Sequence, residues 1–126
     1  MEVRTCYKTA KYDDCRSFYE GVLHWPVFKE WNRSPTNRGV VYSIEGALLE
    51  LLSSSESAAT KFDGSFYLYV ETKELEALWN ALEQAKCSPT KICSFEWGHR
   101  SFVTKDPAGF ILKFFSKTTD RASSSA

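Results

Sequence analysis

The chain has 126 residues, of which 43% are hydrophobic, and its 16 Lys and Arg balance 16 Asp and Glu. This size and composition predict one soluble globular domain, and zero net charge excludes the strong basic field that binds nucleic acids or anionic membranes. No apolar run approaches the roughly 20 residues of a membrane span, and the start lacks the apolar core of a signal peptide. We therefore expect a cytoplasmic protein.

The first half of the chain predicts a strand, a helix and three further strands. An extended stretch at 3–9 precedes two aspartates at 13 and 14, which suit the first turn of a helix. Apolar side chains then recur at helical spacing at Cys15, Phe18, Tyr19 and Val22. Strands follow at 26–31, 39–44 and 47–53, separated by the turn-rich segment 32–37 and by a Glu-Gly pair.

The second half predicts the same order of elements. A strand at 65–70 leads to Thr72, a suitable N-cap, and to an apolar helical stripe that includes Trp79. Three more strands are predicted at 91–95, 101–105 and 110–116, the last two joined by the tight turn Asp106-Pro107-Ala108-Gly109.

The two halves form an internal repeat. Residues 18–23 overlay 78–83 at an offset of 60, and 47–52 overlay 110–115 at an offset of 63. We therefore predict a single α+β domain over 1–116, built from two βαβββ modules at 1–53 and 64–116. The Ser- and Ala-rich segment 54–63 is a linker, and the polar tail 117–126 is predicted to be disordered.

Cysteine and histidine usage gives little support to metal or thiol chemistry. The four cysteines stand at irregular spacings without a CxxC pair, so they indicate neither a zinc knuckle nor a thioredoxin motif. We expect free thiols, mostly buried. The two histidines, His24 and His99, limit the metal and acid–base chemistry that the chain could support.

Three motifs carry a resemblance to a known superfamily. The first helix ends in FY(x)3L from Phe18 to Leu23, a DPxG turn at 106–109 precedes the last strand, and Trp97 to Phe102 reads WGxRxF. With the repeat, residues 1–116 resemble the glyoxalase/bleomycin resistance/extradiol dioxygenase superfamily, also called vicinal oxygen chelate proteins. The WGxRxF stretch is similar to that of bleomycin-resistance-like members.

The resemblance implies a curled mixed sheet around a cavity, completed by a second subunit, and hence a homodimer. It also implies four positions that carry the metal ligands in metal-dependent members. In this chain they fall at Arg4 or Thr5, depending on the register of the first strand, and at Glu50, Ser65 and Lys113. Three of these four positions have lost a metal-binding side chain. One carboxylate facing an ammonium would leave a divalent ion under-coordinated and repelled, so we expect no metal and no cofactor.

Glu50 and Lys113 interrupt otherwise apolar strands. Strand alternation places Glu50 with Leu48 and Leu52, and Lys113 with Ile111 and Phe115. A lone charge among apolar neighbours is costly unless it is paired or hydrated. One hypothesis is a Glu50–Lys113 ion pair that orients a polar group of a ligand; the alternatives are a relic pair without a ligand and a lysine that reaches solvent at a strand edge.

Aromatic side chains supply the remaining candidates for the ligand site. Trp97, beside Gly98, is a candidate wall that stacks a planar ligand, and Trp31 is a weaker one. Tyr67 and Tyr69 share the alternation face of Ser65 and are predicted to point into the cavity, as is Phe115. Trp79 is assigned to the core, and interface or core positions remain the alternative for Trp97.

The sequence leaves three functions open. The first is a metal-free protein that binds and sequesters a planar, partly apolar small molecule. The second is an isomerase, lyase or dioxygenase of the same fold, metal-dependent or using Glu50 as a base. The third is an interaction module whose own aromatics fill the cavity. No catalytic residue is assigned, because no cysteine has a visible base and a lysine beside Glu50 opposes proton transfer.

Overall fold

A computed structural model describes residues 1–117 and divides the chain into two compact units, Met1–Lys61 and the unit that begins at Phe62. Each unit holds four strands and one main helical segment in the order βαβββ. The predicted α+β class and the two modules are confirmed. The boundary falls inside the predicted linker.

The first unit is a four-stranded sheet with a helical segment after its first strand. The elements are β1 (Arg4–Thr9), α1 (Tyr12–Arg16), a π-helical turn (Ser17–Val22), β2 (Val27–Ser34), β3 (Asn37–Ile44), β4 (Ala47–Ser53) and a short 3₁₀ turn (Glu56–Ala58). The strand order is β1-β4-β3-β2, with β1 parallel to β4 and the other pairs antiparallel.

The second unit repeats this topology. Its elements are β5 (Tyr67–Glu71), α2 (Leu75–Gln84), β6 (Cys93–Ser94), β7 (His99–Lys105) and β8 (Ile111–Lys117). The strand order is β5-β8-β7-β6, and β5 runs parallel to β8. In both units the first strand therefore lies beside the last and runs parallel to it. A parallel pair needs a long crossover connection, and the helical segment forms part of it.

Three local predictions differ from the structure. The predicted turn at 32–37 shortens to Pro35-Thr36, because β2 and β3 pair as a hairpin through Ser34 and Asn37. The predicted strand 91–95 keeps only Cys93 and Ser94 in the sheet. β8 includes Lys117, and the rest of the predicted tail, 118–126, lies outside the described residues.

The first helix is only partly α-helical. It widens to π geometry at Ser17, where the amide of Leu23 donates to the carbonyl of Phe18 at 3.1 Å. The wider turn still buries Phe18 and Tyr19, and Tyr19 packs on the ring of Tyr42 with centroids 5.4 Å apart. The FY motif therefore anchors the helical segment to β3.

A polar network also ties this segment to the sheet. Arg16 donates to Glu20 at 2.6 Å, and the hydroxyl of Tyr42 donates to the same carboxylate at 2.7 Å. The guanidinium of Arg16, followed by the Tyr42 hydroxyl, lowers the pKa of Glu20 despite its partial burial. Burial and the Glu20 carboxylate raise the pKa of Tyr42. Both effects favour a neutral phenol on an ionised carboxylate.

The turn before β8 has the geometry that its sequence predicts. The carboxylate of Asp106 accepts hydrogen bonds from the amides of Ala108 and Phe110 at 2.9 and 3.0 Å. Gly109 has a φ of +92°, a conformation that side chains rarely adopt. This closed turn sets the register of β7 against β8 and hence the face on which each β8 side chain lies.

Candidate functional site: the aromatic face of the second sheet

The two faces of the second sheet differ sharply in chemistry. Leu112 and Phe114 of β8 are buried on the side where α2 contacts the strand. Lys113 and Phe115 point the other way, and the register places Tyr69 directly opposite Lys113. This opposite side, the aromatic face, consists of Tyr69, Phe95, Trp97, His99 and Phe115 around Lys113.

Three rings of the aromatic face form one compact cluster in which each ring contacts the other two. The centroids of Tyr69 and Phe115 lie 4.2 Å apart with their planes 10° from parallel. His99 stacks against Phe115 at 4.4 Å and 19°, and its centroid lies 5.7 Å from that of Tyr69. The ring planes of the cluster are therefore close to parallel, which is an orientation that a further planar ring can adopt when it stacks on them.

A second pair of rings flanks Lys113. Phe95 and Trp97 stack with centroids 4.6 Å apart. The ammonium of Lys113 lies 5.3 Å from the centroid of Phe95 and 5.6 Å from that of Tyr69, within reach of cation–π attraction to both. The lysine thus stands between the two ring sets rather than extending freely into water.

Part of the aromatic face is accessible within the described residues, although its central ring, Phe115, is buried. Trp97 is 59% exposed and Tyr69 40% exposed, although both are large and apolar. Tyr67, further along β5 opposite Ile111, is 47% exposed. Rings that serve core packing are usually buried, because burial of a ring stabilises the folded state. Exposed rings concentrated on one face are therefore not explained by core packing.

Sequence reasoning misses His99 and Phe95. His99 lies opposite Lys117 in the register, and its Nδ1 shares a hydrogen bond of 2.7 Å with the hydroxyl of Tyr69. The amide of Phe95 donates to the carbonyl of His99 at 2.8 Å, which sets Phe95 beside it. Strand alternation is the signal that predicts the face of His99. Ser101 pairs with Phe115 across the two strands, and His99, two residues earlier, lies on the same face as Ser101.

In the first unit, Glu50 is paired with Arg4. The Nη1 of Arg4 donates to Oε1 of Glu50 at 2.7 Å, and the Glu50 side chain is only 15% exposed. Cys6 lies directly opposite Glu50 in the register. Cys6 is exposed as a residue, but desolvation of its thiol, followed by the Glu50 charge, raises the pKa of that thiol. A thiol held protonated is a poor nucleophile.

Trp31 is also placed in the first unit. It faces Gly39 across the β2–β3 pair, and its ring covers the glycine so closely that an added Cβ would lie 2.1 Å from Cζ2. Trp31 and Glu50 therefore sit on strands of one unit, whereas Lys113, Trp97, Tyr67, Tyr69 and Phe115 sit in the other. The predicted Glu50–Lys113 ion pair joins the two units and stays a prediction.

The family is decided by sequence comparison. The sequence model of the Glyoxalase/Bleomycin resistance protein/Dioxygenase superfamily matches residues 4–114. This chain belongs to that superfamily. No curated protein matches the sequence.

Several solved structures share the fold of this chain. TnmS3, an antibiotic binding protein from Streptomyces, superposes with a TM-score of 0.74 at 14% identity, covering 93% of this chain and 95% of that one. Lactoylglutathione lyase from Agrobacterium tumefaciens gives 0.71 at 13%, covering 92% of each chain. A glyoxalase/bleomycin resistance protein/dioxygenase from Nocardioides gives 0.68 at 16%, covering 93% and 83%. Identities this low show a common fold alone.

The metal-ligand positions implied by the superfamily do not suit a divalent cation here. The register places Arg4, rather than Thr5, on the face of Glu50, and its guanidinium occupies the carboxylate. The hydroxyl of Ser65 donates to Asp63 at 2.6 Å, and Lys113 carries a positive charge. Within residues 1–117, no three His, Cys, Asp or Glu side chains cluster as a metal site would need.

Within the described part of this superfamily member, none of the helices has the length and apolar character needed to cross a membrane.

Proposed function

We propose that this protein binds and sequesters a planar, partly apolar small molecule on the aromatic face of its second sheet, without a metal ion. The observation that carries the proposal is the combination of two sets of stacked rings, each with one exposed member, Tyr69 or Trp97, and the ammonium of Lys113 within reach of both. Stacked rings offer a planar ligand area and orientation, and a few placed polar groups fix its direction.

The composition of the face supports binding over metal catalysis. The groups that it offers to a ligand are aromatic rings, the hydrogen-bonded Tyr69–His99 pair and the ammonium of Lys113. The fold relative TnmS3 is described as an antibiotic binding protein, so the same architecture accommodates a small-molecule ligand in at least one relative.

A thermal-shift series on chelator-treated protein tests this function. A compound that binds only the folded protein raises the melting temperature, and the rise grows with the logarithm of its concentration over Kd. We expect bicyclic and tricyclic planar aromatic compounds, and antibiotics that carry such rings, to raise Tm in the presence of chelator. A shift produced only by a divalent ion, with about one ion per chain by elemental analysis, would contradict the proposal.

An enzyme of the same fold is the second candidate, and the Tyr69–His99 hydrogen bond favours it. A phenol 2.7 Å from an imidazole nitrogen can pass a proton to or from a bound substrate. Turnover that Tyr69→Phe and His99→Gln each abolish, while binding persists, would establish this candidate. Lactoylglutathione is the first compound to assay, because a lactoylglutathione lyase shares the fold.

The proposal includes a homodimer, which the resemblance implies. Light scattering at several protein concentrations measures the mass in solution directly. A mass of about twice 14.4 kDa supports the dimer, and a monomer at all concentrations would remove it while leaving the aromatic face intact.

A further inference from the structure

We infer that the ligand of the aromatic face is an anion: a planar aromatic compound with a carboxylate or similarly acidic oxygen, bound by Lys113. This inference rests on the proposed function and adds the charge of the ligand. The argument depends on the position of Lys113, on its partners within the second unit and on an unsatisfied hydroxyl beside it.

Lys113 is held in the middle of the sheet. β8 lies between β5 and β7, so both neighbours of Lys113 are strands rather than solvent. Its ammonium is positioned by Tyr69 on one side and Phe95 on the other. A cation fixed between rings loses little conformational freedom when it meets a ligand, which is the advantage of a preorganised site.

The charge of Lys113 is not compensated by a carboxylate of its own unit. Within residues 62–117, the ion pairs join Lys117 to Glu71 and Arg100 to Glu76, and none includes Lys113. In the first unit, the charge of Glu50 is compensated by Arg4. A partly buried ammonium whose neighbours are rings is therefore electrostatically suited to an incoming anion.

Ser101 provides an independent polar signal on the same face. It pairs with Phe115 across β7 and β8, so it is a diagonal neighbour of Lys113. Ser101 is 2% exposed, and its Oγ has no hydrogen-bond partner within the described residues. An unsatisfied buried hydroxyl is costly, and an acceptor oxygen held at Lys113 is the kind of group that would satisfy it.

A cationic ligand suits this surface less well. Rings attract cations, but the ammonium of Lys113 already occupies the space over Tyr69 and Phe95. A second cation placed there would meet like charge at short range. The same reasoning predicts that a neutral ligand binds by stacking alone.

Three probes of equal size and different charge test the inference: 2-naphthoate, 2-naphthamide and 2-naphthylmethylammonium. Their affinities are measured by titration calorimetry on the full chain treated with chelator. We expect wild-type protein to bind the carboxylate about tenfold more tightly than the amide, and the ammonium most weakly. Raising the salt concentration lowers the carboxylate affinity and leaves the amide affinity unchanged.

Lys113→Met keeps most of the length of the side chain and removes its charge. In this variant we expect the carboxylate and the amide to bind within about twofold of each other. Lys73→Met, which removes an exposed lysine of the segment between β5 and α2, is the matched control and should keep the preference. If Lys113→Met does not fold, the wild-type ranking and its salt dependence decide the matter.

The outcomes separate the inference from the proposed function. Equal or tighter binding of the amide or the ammonium by wild-type protein overturns the anionic ligand and leaves the planar-ligand function standing. A carboxylate preference that survives in Lys113→Met overturns the role of Lys113. Failure of all three probes to bind, at concentrations where the protein stays folded, overturns both.

Discussion

The carboxylate of Glu50 is bound by Arg4, its neighbour on the adjacent parallel strand, at 2.7 Å. Glu50 is largely buried, so the guanidinium compensates a charge that would otherwise be costly. The pair occupies a place that the superfamily resemblance assigns to metal ligands.

Removing one partner of this pair is expected to destabilise the protein more than removing both. Arg4→Met leaves the Glu50 carboxylate partly buried and unpaired, so Tm should fall by several degrees. The double variant Arg4→Met/Glu50→Gln should recover part of that loss. A double-mutant cycle by urea denaturation measures the coupling, and strict additivity would show that the two side chains do not interact.

Acid sensitivity should depend on Glu20. Its pKa is lowered in the folded protein, first by Arg16 and then by Tyr42. The stabilisation is therefore fully present above the unfolded pKa, near 4.3, and is lost as the pH falls through the folded pKa. The Tm of Glu20→Gln should fall less steeply than that of wild type below about pH 5.

The matched control for this measurement is Glu83→Gln, which neutralises an exposed carboxylate at the end of α2. Its Tm should follow the wild-type curve through the acid range. Parallel curves for wild type and Glu20→Gln would show that the Arg16–Glu20–Tyr42 network does not contribute to acid stability.

Gly39 should tolerate no side chain. A Cβ there would lie 2.1 Å from Cζ2 of Trp31 and force the indole to move. We expect Gly39→Ala to lower the free energy of unfolding by about 1–3 kcal/mol, the usual cost of overpacking. Gly21→Ala is the control, because nothing lies within 4 Å of its Cβ; equal stabilities of the two variants would refute the close packing.

Trp97 and Trp79 should separate ligand binding from stability. Trp97 is mostly exposed on the aromatic face, so Trp97→Ala should weaken binding of 2-naphthoate by about tenfold and barely change Tm. The indole nitrogen of Trp79 donates to the carbonyl of Thr90 at 2.8 Å, so Trp79→Phe should lower Tm and leave affinity unchanged. If Trp79→Phe weakened binding and Trp97→Ala did not, the ligand site would lie elsewhere than on the aromatic face.

The fold can be predicted from sequence because its signals are local and repeated. Strand alternation predicts the faces of Glu50 and Lys113, and the register agrees. The DPxG turn predicts the hairpin between β7 and β8, because Asp106 and Gly109 supply its hydrogen bonds and its positive φ. These features depend on residues close together in the chain.

The site is harder to predict because its contacts are not local. The Arg4–Glu50 pair joins residues 46 positions apart, and the Tyr69–His99 bond joins residues 30 apart. The resemblance leaves Arg4 and Thr5 as alternatives, and only the parallel register of β1 with β4 decides between them. Phe95 is missed because it lies just after β6, a strand of two residues that is too short for alternation to be read.

The most direct test of metal-free binding on the aromatic face is a nuclear magnetic resonance titration of chelator-treated protein with 2-naphthoate and, separately, 2-naphthamide. We predict chemical-shift changes centred on Trp97, His99, Tyr69 and Lys113, with an affinity that added divalent ions do not change. Shifts confined to other residues, or binding that requires a divalent ion, would contradict the account.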